Sequence, residues 1–94
     1  MHVVIADGVR TPRGKGSARG ALHATPPVEL VRVLLDALVE RGVAPSLVED
    51  VVLGCATQVD DQGANLARTA TLAAGWDAAV PGLTVNRFCA SGLD

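Results

Sequence analysis

Cys89 is the residue of this sequence best placed to do chemistry. It follows Leu83-Thr84-Val85-Asn86-Arg87, whose alternation reads as a strand, and it opens Cys89-Ala90-Ser91-Gly92, which reads as the turn into a helix. At such a junction the N–H groups of the first helical turn and the helix dipole favour a thiolate. The same N–H groups can hold an oxyanion on an acyl group carried by the sulfur. Ala90, Ser91 and Gly92 are small and admit a substrate close to it. A buried structural thiol is the competing reading, because free cysteine is among the most buried residue types. Residue types alone do not choose between the two. The other cysteine, Cys55, follows Gly54 at the end of an apolar run and reads as a core thiol. His2 and His23 stand outside any catalytic pattern, no metal-ligand spacing exists, and no Gly-rich phosphate loop follows a strand.

The elements that must position Cys89 follow from periodicity. His2–Ala6 is short and β-branched, closed by Asp7-Gly8, and predicts a buried strand. Residues 8–27 form a Gly/Pro-bearing segment holding Arg10, Arg13, Lys15 and Arg19, half of the eight basic residues. Pro26-Pro27 suits a first helical turn, with Thr25 as its cap. Val31, Leu34, Leu35, Leu38 and Val39 make the apolar stripe of that helix, and Gly42 ends it. Ser46 and Glu49 have capping-box spacing around a short turn.

Val51-Val52-Leu53 predicts a strand buried on both faces, as in a parallel sheet covered by helices. Residues 64–74 predict a second helix whose small stripe, Ala67, Ala70, Thr71 and Ala74, invites close packing, with Gly75 at its end. Strand 83–87 is the third. The order strand, helix, strand, helix, strand, helix start implies an α/β layered fold with parallel pairs. The final helix has only its first residues before Asp94, so we expect these 94 residues to be the N-terminal part of a larger protein, against the alternative that 89–94 is a frayed tail.

Composition bounds the function. Hydrophobic residues are 49% and charged residues 19%, unlike a disordered tail. Phe88 and Trp76 are the only aromatics, and net charge is −2, so neither base stacking nor a basic field supports nucleic-acid binding. Apolar runs fall short of a membrane span, and no targeting segment opens the chain. Two cysteines are too few for a disulfide-stapled fold. A cytoplasmic protein, without nucleic-acid or membrane partners, is the expectation.

Asn86-Arg87-Phe88-Cys89-Ala90-Ser91-Gly92-Leu93 resembles the nucleophile motif of thiolases, of the 3-ketoacyl-CoA thiolase and acetyl-CoA acetyltransferase branch in particular. Arg10-Thr11-Pro12 with Gly14-Lys15 resembles the N-terminal signature of that family. Glu49–Gly54 resembles its second strand, and Gln62-Gly63-Ala64-Asn65-Leu66-Ala67-Arg68 its Gln-x-x-Asn-x-Ala-Arg segment. The resemblance implies a thiolase-like αβαβα fold, of which residues 1–94 are the first β-α-β-α-β portion. It implies Cys89 as the catalytic nucleophile in thiolytic cleavage of 3-ketoacyl-CoA, or in the reverse Claisen condensation, through an acyl-cysteine.

Coenzyme A and acyl-CoA are then substrates; no cofactor or metal is implied. The intact protein is expected to be a homodimer or homotetramer, with Asn65 and Arg68 near the dimer contact or simply at an exposed helix start. The Gly-His-Pro base, the Cys-x-Gly acid/base and the Asn-Glu-Ala-Phe segment of the family do not occur among these residues, so the chain alone is expected to be inactive. The basic loop reads as a solvated or interface loop rather than a coenzyme A site. A non-catalytic thiolase-like remnant is the rival reading, and a redox-sensing thiol module a weaker third.

Overall fold

A computed structural model describes all residues from Met1 to Asp94. Helix α1 spans Pro27–Glu40, strand β1 Val51–Gly54, helix α2 Leu66–Ala73 and strand β2 Gly82–Val85. Short 3₁₀ turns lie at Pro45–Leu47, Asp60–Gln62 and Phe88–Leu93. The two strands pair in parallel, Val51 opposite Gly82 through Gly54 opposite Val85, and α2 makes the crossover between them. The architecture is α/β, as the residue pattern implies.

Both helices stop in the same way. After α1, Gly42 adopts φ +110°, its N–H donates to the Val39 carbonyl, and Val43 N–H reaches back to Leu38. After α2, Gly75 adopts φ +77°, and the N–H groups of Gly75 and Trp76 donate to Leu72 and Thr71. Each is a left-handed glycine stop that satisfies the last carbonyls. The second one delivers Trp76 into the core, beside Leu35, Ala70 and Val80. Ala67, Ala70 and Thr71 are completely buried, so the small stripe of α2 does admit close packing, against α1 and β2.

Strand alternation decides what the sheet covers. Val51 packs against the core, and Leu53 and Cys55 share a cavity wall with Pro27, Leu30 and Val31 of α1. Val52 and Gly54 therefore face the other way. On β2, Thr84 accepts a hydrogen bond from Ala67 N–H of α2, which leaves Leu83 on the same face as its register partner Val52. Those two side chains are about half exposed, at 51% and 49%. One face of the sheet is thus layered with helices. The other is covered only where the Phe88–Leu93 turn lies against the end of β1.

Several local expectations are corrected. His2–Ala6 forms no strand; Val3, Val4 and Ile5 are exposed, because an extended segment without a ladder partner gains neither hydrogen bonds nor burial. Strand β1 is buried on one face, not two, for the reason just given. Thr25 does not cap α1: Pro26 occupies the N-cap position and offers no side-chain acceptor. The Ser46–Glu49 capping box does not form, since the 3₁₀ turn is entered from Ala44. Helix α2 starts at Leu66 rather than residue 64, because Ala64 takes φ +55° and Asn65 caps the helix. The second strand ends at Val85, and the expected α-helical start at 88 is a 3₁₀ turn. No helix is long and apolar enough to cross a membrane.

Candidate active site

Cys89 lies in the Phe88–Leu93 turn and is exposed. Its surroundings are set by backbone hydrogen bonds more than by packing. Phe88, just before it, sits at φ +51°, a left-handed conformation that is rare for a bulky residue. Phe88 N–H donates to Asn86 Oδ1 at 2.8 Å. Ser91 Oγ accepts from Arg87 N–H at 2.8 Å and donates to the Phe88 carbonyl at 2.7 Å. Ala90 N–H closes the turn onto the Arg87 carbonyl, and an Arg87–Asp94 ion pair bridges its two ends.

The N–H of Cys89 itself donates to no carbonyl or side chain of the chain. It is an unpaired donor beside the sulfur. Ser91 is buried, while Phe88, Ala90 and Gly92 are exposed.

Gly54 is what lets this turn approach the sheet. A Cβ there would stand 2.5 Å from the Ser91 carbonyl carbon and 2.7 Å from its oxygen. No side chain fits, so β1 must end in glycine for the Ser91 backbone to seat against it.

Cys55, one residue further on, points the opposite way. It is buried, with its sulfur 3.5 Å from Gln62 Oε1 and 3.6 Å from the Thr57 carbonyl, and the Gln58 amide bonds its backbone oxygen. It lines a cavity of about 340 Å³ together with Leu30, Val31 and Leu66. Both cysteines are free thiols, Cys55 buried and Cys89 exposed.

Asn65 and Arg68 have a role that residue types did not disclose. Asn65 Oδ1 accepts from Arg68 N–H and from the Thr84 hydroxyl, while its amide donates to the Gly82 carbonyl at 2.7 Å. Arg68 donates to the carbonyls of Val80 and Ala78 at 2.6 and 2.9 Å. Together they fasten α2 to β2 and to the loop leading into it. The available sequence signal was Asn three residues before a backbone donor, an N-cap spacing.

His2 and His23 are exposed, and neither makes a hydrogen bond to the turn that carries Cys89. The largest cavity, about 550 Å³, lies in the basic loop beside Lys15, Ser17 and His23, and no cysteine lines it. Cys89 lines none of the four cavities. The geometry therefore presents an accessible thiol on a braced turn, without a pocket of its own among these residues.

Residues 3–94 match the family model described as thiolase, N-terminal domain. The chain belongs to the thiolase family. It is 49% identical over 95 aligned residues to a β-ketoadipyl-CoA thiolase of Pseudomonas aeruginosa, covering 99% of this chain and 23% of that protein. Its identity is 42% to the 3-oxoadipyl-CoA/3-oxo-5,6-dehydrosuberyl-CoA thiolase of Escherichia coli K12, covering 96% and 22%. It is 40% identical to a 3-ketoacyl-CoA thiolase of Bacillus subtilis, covering 98% and 24%. The crystal structure of the Bacillus anthracis acetyl-CoA acetyltransferase superposes with a TM-score of 0.67 at 49% identity, over 79% of this chain and 19% of that one. The chain spans less than a quarter of the length of the curated relatives it matches.

Proposed function

We propose that this chain is the nucleophile-bearing, N-terminal portion of a thiolase, and that Cys89 carries the acyl group during cleavage of a 3-ketoacyl-CoA by coenzyme A. The observation that carries this reading is an exposed thiol, next to an unpaired N–H, on a turn whose sequence Asn86–Leu93 resembles the thiolase nucleophile motif. The family membership supports it, as do relatives named for 3-ketoacyl-CoA and β-ketoadipyl-CoA thiolysis.

The sequence of bonds follows from the chemistry of a thiol nucleophile. A base removes the Cys89 proton, and the sulfur attacks the 3-keto carbon. The C2–C3 bond breaks, leaving the acyl group on Cys89. The electron pair of that bond goes to C2, which takes a proton as acetyl-CoA departs. Coenzyme A thiolate then attacks the acyl carbon and releases Cys89. The base and the second acid are not among these residues. The role of this segment is therefore to hold the sulfur and one N–H beside the oxyanion. The intact enzyme is cytoplasmic and a homodimer or homotetramer in this reading, acting on coenzyme A thioesters without a resident metal or cofactor.

The test is a segment exchange. The 94-residue chain alone should show no thiolysis of acetoacetyl-CoA or of longer 3-ketoacyl-CoA. Substituted for the corresponding segment of the P. aeruginosa relative, it should support thiolysis that requires Cys89. A folded exchange enzyme with no turnover on any 3-ketoacyl-CoA would favour the non-catalytic remnant instead.

A further inference from the structure

We infer that Ser91 and Asn86 are positioning residues for Cys89, acting by holding Phe88 in the left-handed conformation that aims the nucleophile away from the sheet. This deepens the reading of Cys89 as acyl carrier and rests on it. Three bonds converge on the backbone of Arg87 and Phe88, the two residues before Cys89. Arg87 N–H is taken by Ser91 Oγ, Phe88 N–H by Asn86 Oδ1, and the Phe88 carbonyl by the Ser91 hydroxyl. No other partner serves these N–H groups.

The hydroxyl works on both sides of Phe88 at once, accepting before it and donating after it. Ser91 can do so because its own backbone is fixed against Gly54, and it is buried there. An L-residue with a side chain as large as Phe does not hold φ +51° unaided, since Cβ crowds the adjoining carbonyl. Without the clamp the turn relaxes to negative φ, and residues 89–93 leave the end of β1.

Packing offers no alternative cause. The Phe88 side chain is 78% exposed and has nothing to anchor it.

A clamping Ser91 and a merely space-filling one differ in what their loss does to Phe88. In the 94-residue chain, NMR should show a strong intraresidue HN–Hα cross-peak at Phe88, the mark of positive φ, and a contact between Gly54 and Ser91. Ser91→Ala should lose both, and Asn86→Ala should weaken the first. In the exchange enzyme Ser91→Ala should lower kcat about tenfold, the order expected when both bonds of its hydroxyl are lost, with KM unchanged. Adding Phe88→Gly to Ser91→Ala should restore the Gly54–Ser91 contact, and kcat to within about twofold of the parent, because glycine enters the left-handed region without cost.

Retention of the Phe88 cross-peak and of kcat in Ser91→Ala overturns the inference. So does a loss that glycine at 88 fails to recover, since Ser91 would then act through packing. An exchange enzyme inactive in every form, with the NMR pattern as described, overturns acyl transfer and leaves the clamp standing. Normal acyl transfer in Ser91→Ala does the reverse.

Discussion

The two cysteines sit at the same end of the same sheet and meet opposite environments. Cys55 is turned toward the helices, buried among apolar residues and hydrogen-bonded by the loop that follows it. Cys89 is on the other side, exposed, on a turn whose Ser91 backbone is seated against Gly54. The difference comes from the pleat of β1: Gly54 and Cys55 are consecutive, so one must face each way. Where the side chain is absent, the turn bearing Cys89 can lie down. Where it is present, the thiol is absorbed into the helix layer. Thiol exposure in this chain is therefore set by strand parity.

The largest expected effect separates the cysteines directly. In the exchange enzyme Cys89→Ser should lower turnover by at least about 10³-fold, as loss of a covalent nucleophile does elsewhere. Cys55→Ala should leave turnover within about twofold and cost ~1 kcal/mol of stability from lost packing. Comparable losses of turnover in both would erase the contrast.

A smaller break attacks the seat of the turn. Gly54→Ala forces a Cβ into the Ser91 backbone, and overpacking of this kind costs about 1–3 kcal/mol. Hydrogen exchange should rise at residues 87–91 while α2 stays protected. Loss of protection throughout α2 would mean that the two regions are one cooperative unit.

The helix side can be loosened independently. Asn65→Ala removes the α2 cap and the bonds to Gly82 and Thr84, for about 1–2 kcal/mol. Urea unfolding followed by the fluorescence of buried Trp76 should shift to a lower midpoint, while Cys89 alkylation by iodoacetamide remains faster than that of Cys55.

The smallest effect concerns the Met1–Asp7 segment, whose Asp7 pairs with Arg41 at the end of α1. The Arg41 guanidinium and the Gly8 N–H hold the Asp7 carboxyl below its ordinary pKa of 3.8. The pair's contribution is therefore complete above that value and is lost as pH falls through the lower folded-state pKa. Because the pair is exposed, acidification below pH 3.8 should free the segment without unfolding α1, and Asp7→Asn should do the same at neutral pH. NMR order parameters at residues 3–8 should fall on release.

Periodicity and punctuation made both helices, the two paired strands and the turn that carries Cys89 legible. Apolar stripes locate α1 and α2, the Val51–Leu53 run locates β1, and Gly42 and Gly75 mark the stops. What the residues concealed were features that depend on contacts distant in sequence. The His2–Ala6 segment has strand propensity but no strand beside it. Thr25 and Ser46 have capping chemistry, yet proline-led backbone takes those positions. Asn65, Thr84 and Gly82 come together only after α2 has crossed the sheet, so their bonding could not be read from spacing alone. The clamp around Phe88 was equally hidden, because positive φ in a phenylalanine has no sequence signal.

In the proposed reaction Cys89, and not Cys55, accepts the acyl group, and the labelled peptide tells the two apart. The exchange enzyme should be incubated with acetyl-CoA, quenched in acid and digested. Cleavage after Arg41, Arg68 and Arg87 places Cys55 in the peptide starting at Gly42 and Cys89 in the one starting at Phe88. Mass spectrometry should find the added acetyl group on the Phe88 peptide, discharged when coenzyme A is supplied. An acetyl group on the Gly42 peptide, or turnover that persists with neither peptide labelled and with Cys89→Ser, would contradict the account.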